Sequence, residues 1–204
     1  MNGFEKQELE TQGMMSRLFG SKPGHNALVE INNFLAESTA ATELTEEIVS
    51  NFIKNWGAKF DSSNIEYRSS MYRKVADHVY ISAVSKDDPV FEETKHLAQV
   101  LELPEKLQRL ADNGAKKVAY FSRCRKIISG EEPLTISEIN NVFGYDYEDG
   151  YDIRVQVFHD YLNKKFDEIA EQQRFSPDEE TALREICTKL DIPYEFKPNI
   201  QNAL

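Results

Sequence analysis

Glycine and proline are scarce in this chain, nine and seven of 204 residues, and they fall mostly at the ends of long uninterrupted runs. A β fold of this size needs a turn every few residues, so the scarcity of breakers points to helices. Within the runs, apolar residues recur at three- and four-residue spacing, which places them on one face of a helix. The first such run spans 25–37, with Leu28, Ile31, Phe34 and Leu35 on its stripe. Thr45 reads as the N-cap of a second helix, followed by Glu46 and Glu47 where negative charge suits the helix dipole, and closed by Gly57.

Ser63-x-x-Glu66 fits a capping box for a third helix reaching about Val84. Asp88-Pro89 reads as a cap with proline in the first helical position. Pro104 opens a fifth helix, with a break expected at Asn113-Gly114. Thr135-x-x-Glu138 is a second capping box, for a short helix ending near Phe143. An acidic loop, Tyr145 to Asp152, is expected next, then a long helix over about 151–173. Ser176-Pro177-x-Glu179 combines a cap, a first-position proline and a reciprocal Glu, and opens the last helix. The pattern predicts an all-α fold, an irregular helical bundle of about eight helices forming a single domain over 25–204. Residues 1–24 read as a leader arm, frayed as chain ends usually are, with Met14, Met15, Leu18 and Phe19 as its apolar cluster.

The formal charge of −11 works against general binding to nucleic acid or anionic lipid, since both present phosphates. The charge is uneven. Residues 105–126 carry seven Lys or Arg against two Asp or Glu, a basic island between acidic flanks. The two cysteines, Cys124 and Cys187, are too few for a disulfide scaffold, which suits a reducing compartment, the cytoplasm. No stretch is long and apolar enough for membrane insertion. Whether the chain forms a homo-oligomer is left open by these features.

Two segments match at an offset of 89 residues. Leu97-x3-Leu101-Glu102-Leu103-Pro104 corresponds to Ile186-x3-Leu190-Asp191-Ile192-Pro193, each leaving a capped helix with an acidic pair near its start, Glu92-Glu93 and Glu179-Glu180. Two related helix-pair units packed on one another would explain the match, because neither alone buries its apolar stripe. The later copy, from Tyr161 through Phe175-Ser176-Pro177-Asp178-Glu179-Glu180 to Leu190-Asp191-Ile192, resembles part of the tellurite-resistance TerB-like helical domains, and residues 72–104 do so more loosely. The Asp-Gly turn of that pattern is Gln173-Arg174 here and Lys86-Asp87 in the earlier copy. The resemblance implies a divalent-metal-responsive stress protein, with Glu92, Glu93, Glu179 and Glu180 as the metal-binding carboxylates.

Tyr145-Asp146-Tyr147-Glu148-Asp149-Gly150-Tyr151-Asp152 has the look of a calcium loop. Setting Gly150 at position six, however, puts Tyr145, Tyr147 and Gln156 where oxygen ligands are required, so it is no EF-hand. A looser cation site could use Asp146, Glu148, Asp149 and Asp152. The interleaved Tyr145, Tyr147 and Tyr151 suit a protein interface better, since tyrosine is enriched there. The basic island (Lys106, Arg109, Lys116, Lys117, Arg123, Arg125 and Lys126) would meet an acidic partner or a nucleic-acid backbone, or else form a solvated face or pair internally with the acidic C-terminal lobe. Cys124 lies among Arg123, Arg125 and Lys126, whose charge would lower a thiol pKa, but no motif supplies the base that a catalytic cysteine needs. The four histidines are scattered, and no phosphate loop or GxSxG elbow occurs.

The leading expectation is therefore a non-enzymatic cytoplasmic adaptor acting on a protein partner, without an obligatory cofactor. Its contact residues would be Met14, Met15, Leu18 and Phe19 of the leader, the tyrosines 145, 147 and 151, and the cations Lys116, Lys117, Arg123 and Arg125. The TerB-like metal-responsive protein is the alternative, and a hydrolase without a recognisable motif comes third.

Overall fold

The computed structural model describes residues 3–10, 23–172 and 177–194. Among them are eight α-helices and one 3₁₀ turn, with no strand, so the all-α expectation holds. In chain order the helices are α1 (Pro23–Glu37), α2 (Glu46–Asn55), α3 (Ile65–Ser82), α4 (Phe91–Val100), α5 (Glu105–Ser129), α6 (Ile136–Phe143), α7 (Tyr147–Gln172) and α8 (Pro177–Lys189), with the 3₁₀ turn at Ala41–Glu43. None of the described helices is long and apolar enough to cross a membrane. The chain divides into two compact units. The first groups the described residues up to Ala83 with Asp87–Lys116, and the second groups Val84–Lys86 with those from Lys117 onward.

The first unit is built by α1 to α4 and the start of α5. Leu28, Ile31 and Leu35 from α1, Val49 from α2, Met71, Val75 and Val79 from α3, and Leu97, Val100 and Leu101 around α4 form its core. Thr45 caps α2 as expected, its side chain accepting from the Ile48 N–H, and Gly57 has φ +59° just past the helix end. The other starts in this unit differ from the sequence reading. Ser63 does not cap α3: its N–H and hydroxyl both donate to Asp61 Oδ1, at 2.8 and 2.6 Å, which spends it on the preceding turn, and Asn64 takes the N-cap position. Asp88 accepts from the Val90 N–H at 3.0 Å and so caps a turn, and α4 starts only at Phe91. α5 passes Asn113-Gly114 unbroken. A Cβ at Gly114 would lie 2.0 Å from an Arg73 guanidinium nitrogen, so the missing side chain makes room for that arginine.

Residues 3–10, expected as part of a frayed arm, are instead fastened along α1. Asn33 clasps both backbone groups of Gln7, accepting from its N–H and donating to its carbonyl, each at 2.8 Å. Asn26 does the same for Glu10, at 2.9 and 3.1 Å, and Asn32 donates to the Glu5 carbonyl at 2.8 Å. Phe4 inserts its ring into the core cluster, and Lys6 pairs with Glu37. Met14, Met15, Leu18 and Phe19 lie outside the described residues.

In the second unit, Thr135 and Glu138 form the expected capping box at α6, and Gly144 ends that helix at φ +64°. The acidic loop is largely absent, because α7 already begins at Tyr147. The reason is a reciprocal cap the sequence reading overlooked. Asp149 Oδ2 accepts from the Asp146 N–H, and Asp146 Oδ1 accepts from the Asp149 N–H, both at 3.0 Å, so two carboxylates satisfy the exposed N–H groups and sit at the positive end of the dipole. The cap expected at Ser176 lies outside the described residues; α8 runs from Pro177.

The 89-residue repeat is repeated in the backbone. At the α4 exit Glu102 has φ +46° and the Leu103 N–H reaches back to the Ala98 carbonyl at 2.9 Å; at the α8 exit Asp191 has φ +51° and the Ile192 N–H reaches the Cys187 carbonyl at 3.0 Å. These are the only described non-glycine residues with positive φ, and each forms the left-handed cap of a Schellman motif followed by a buried aliphatic residue and proline.

A tyrosine and arginine surface at the start of α7

The tyrosines singled out in the sequence converge, but on a residue it did not single out. Arg154 is fully buried although it carries a permanent charge. It lies three and seven residues after Tyr151 and Tyr147, so all three share a face of α7. Its guanidinium sits over the Tyr147 ring at 4.6 Å and the Tyr151 ring at 5.8 Å. Nη1 donates to the Tyr120 hydroxyl at 2.9 Å and Nη2 to the Tyr147 carbonyl at 3.1 Å. Two aromatic faces and two neutral oxygens thus stand in for a carboxylate partner.

Tyr120 is the second hub. Its hydroxyl accepts from Arg154 and donates to Asn140 Oδ1 at 2.7 Å, tying α5, α6 and α7 of this unit together. Its ring meets Phe143 edge-on at 5.8 Å and Tyr145 at 5.4 Å. Burial pushes the phenol up to about 12, against the lowering effect of Arg154, so it remains a neutral donor through the working pH range. Gly150, inside α7, is where the Tyr120 ring passes: a Cβ there would lie 2.4 Å from the hydroxyl oxygen. Tyr145 is half-buried in this aromatic layer, and burial raises its phenol as well.

Tyr147 faces outward, 42% exposed, yet its position is held on three sides. Arg154 lies against its ring, Tyr151 packs at 5.8 Å, and its hydroxyl donates to the Asp191 carbonyl at 3.1 Å. Asp191 also lines a cavity of about 610 Å³ whose wall includes Ile127, Pro133, Leu134, Ile136 and Thr188. Around Tyr147 stand the exposed Asp146, Glu148, Asp149 and Asp152.

Arg123, placed in the basic island by its charge, is buried, with its guanidinium 5.6 Å from the Phe143 ring centroid. It is therefore unavailable as a contact cation. Lys116 is half-buried with its ammonium 5.6 Å from the Tyr80 ring centroid, while Lys117 and Arg125 are exposed. Arg109 pairs with Glu105 one turn away. Of the carboxylates, Glu92 pairs with Lys95, Glu93 accepts from the Ala41 N–H at 2.9 Å, Glu180 pairs with Arg184, and Glu179 is half-buried. Among the described residues no group of three or more His, Cys, Asp or Glu is placed to hold a metal ion.

Cys124 is fully buried, and burial raises its thiol to about 12 despite the nearby Arg154 charge. The flanking cations thus do not activate it. Arg154 was nevertheless visible as a signal, being a charged residue on the inward stripe that continues to the buried Phe158. Asn140 and Tyr120 gave none, because their importance comes from where the helices pack. The chain matches no family model, no curated protein and no solved structure.

Proposed function

We propose that this chain is a cytoplasmic, non-enzymatic interaction module that binds a protein partner through Tyr147 and the concave surface beside it. The observation that carries this reading is the exposed Tyr147 ring held in place by Arg154, Tyr151 and Asp191. An exposed aromatic side chain ordinarily loses rotamer freedom when a partner covers it. Here that ordering is already done, as at the energetic centres of interfaces. The adjoining cavity offers aliphatic walls from Ile127, Leu134 and Ile136, and the carboxylates around Tyr147 favour a neutral or basic contact surface. Two free, buried cysteines suit a reducing compartment.

The test is affinity purification of the tagged protein from its own cells, with co-purifying chains identified by mass spectrometry. A stoichiometric protein retained by the wild type and lost with Tyr147→Ala supports the proposal. A partner retained equally by Tyr147→Ala, or none at all, sinks it and moves calcium, magnesium, manganese and zinc titrations to the front.

A further inference from the structure

The way α1 holds residues 4–10 is that of a receptor holding a peptide. Asn33 pairs with both backbone groups of Gln7, and Asn26 with both backbone groups of Glu10. A carboxamide paired this way copies a peptide group, so it recognises main chain without reading side chains. The register fits an extended occupant. The seven residues from Asn26 to Asn33 rise about 10.5 Å along the helix, and the three from Gln7 to Glu10 span about 10 Å when extended. Side-chain recognition beyond the exposed pairs of Lys6 with Glu37 and Glu10 with His25 falls at two places. The Phe4 ring enters the core beside Lys74, and the Tyr67 hydroxyl donates to Gln7 Oε1 at 2.6 Å. All other side chains from Glu5 to Glu10 are exposed.

We infer that the α1–α3 face is a binding groove for an extended segment of a partner protein that leads with an aromatic residue, and that residues 4–10 occupy it as a tethered competitor. Twelve residues of sequence join the arm to α1, so the arm competes as part of the same chain. A partner segment must outcompete it or meet a chain whose arm has been released. This site belongs to the first unit and stands independently of the Tyr147 surface.

The probe is a fluorescent eight-residue peptide with the sequence of residues 3–10, followed by anisotropy against the full chain. The Phe4→Ala protein, its own arm loosened, is expected to bind it saturably, and the wild type about tenfold more weakly or worse because the tethered arm competes. Adding Asn26→Ala and Asn33→Ala to Phe4→Ala is expected to abolish binding. A peptide lacking the aromatic ring should fail, whereas one with alanine at the positions of Lys6, Glu8 and Leu9 should bind. If Phe4→Ala does not fold, hydrogen exchange of the wild type replaces it: excess peptide should accelerate exchange at the Gln7 and Glu10 amides. No binding by a folded Phe4→Ala chain, or no change in exchange, would make the arm a purely structural strap. A wild-type dimer in sedimentation that the peptide dissociates would make a second copy the occupant. Either result overturns the inference.

Discussion

At the scale of single residues, Gly114 and Gly150 separate two kinds of close approach. The group that would meet a Cβ at Gly114 is the end of the Arg73 side chain, which is half-exposed and can swing aside. Alanine also favours helix by about 1 kcal/mol over glycine. Gly114→Ala should therefore leave the urea midpoint unchanged or raise it. At Gly150 the obstacle is the fully buried Tyr120 ring, fixed by Arg154 and Asn140. Gly150→Ala should lower stability by about 1–3 kcal/mol, the usual cost of overpacking. Arg154 itself should tolerate methionine better than alanine in the same measurement, since methionine keeps the volume between the tyrosines and removes a buried charge, while alanine leaves a void. Cys124 gives a pH prediction. Its thiol is raised in the folded state from about 9 to about 12, so the stabilisation from keeping it neutral is complete below about pH 9 and declines above it. The decline should approach about 1.4 kcal/mol per pH unit, and Cys124→Ala should flatten the alkaline limb of the stability profile.

Among the elements, the two Schellman exits offer a direct comparison. Glu102 and Asp191 both adopt positive φ, a conformation that costs an L residue about 1–2 kcal/mol. Glycine there removes that strain, so Glu102→Gly and Asp191→Gly should each raise the thermal midpoint. The gain at Glu102 has a built-in control, because Arg68 donates to its carbonyl at 3.1 Å and to that of Leu101 at 2.7 Å whatever the side chain. These exits also mark how far the sequence could be read. Leu-Glu-Leu-Pro and Leu-Asp-Ile-Pro were legible as a repeat because local hydrogen bonds set them. The Thr45 and Thr135 caps were legible for the same reason. The helix starts misread at Ser63 and Pro89 are cases in which the polar side chain is spent on the turn before the helix, Ser63 on Asp61 and Asp88 on the Val90 N–H. The clasp of the arm by Asn26, Asn32 and Asn33 left no mark in hydrophobic periodicity. Asparagines on the polar side of an amphipathic helix look solvated until the segment they hold is in view.

For the whole molecule, charge governs how partners arrive. A formal charge of −11, with Asp146, Glu148, Asp149 and Asp152 exposed around Tyr147, should steer a basic partner toward that surface. The association rate of the partner should fall as salt rises while the dissociation rate changes little, which surface plasmon resonance at graded ionic strength would read. Asp152→Asn should reduce the salt slope without disturbing the α7 cap, since only Asp146 and Asp149 serve it. The arm adds a different kind of time dependence. Asn26 and Asn33 grip it because one end of each carboxamide accepts and the other donates. Slow spontaneous hydrolysis of the Asn26 or Asn33 amide to a carboxylate would turn the donating end into a second acceptor, facing the carbonyl of Glu10 or Gln7. The hold on the arm would then weaken with the age of the molecule, so that long-lived copies would carry it more loosely than newly made ones.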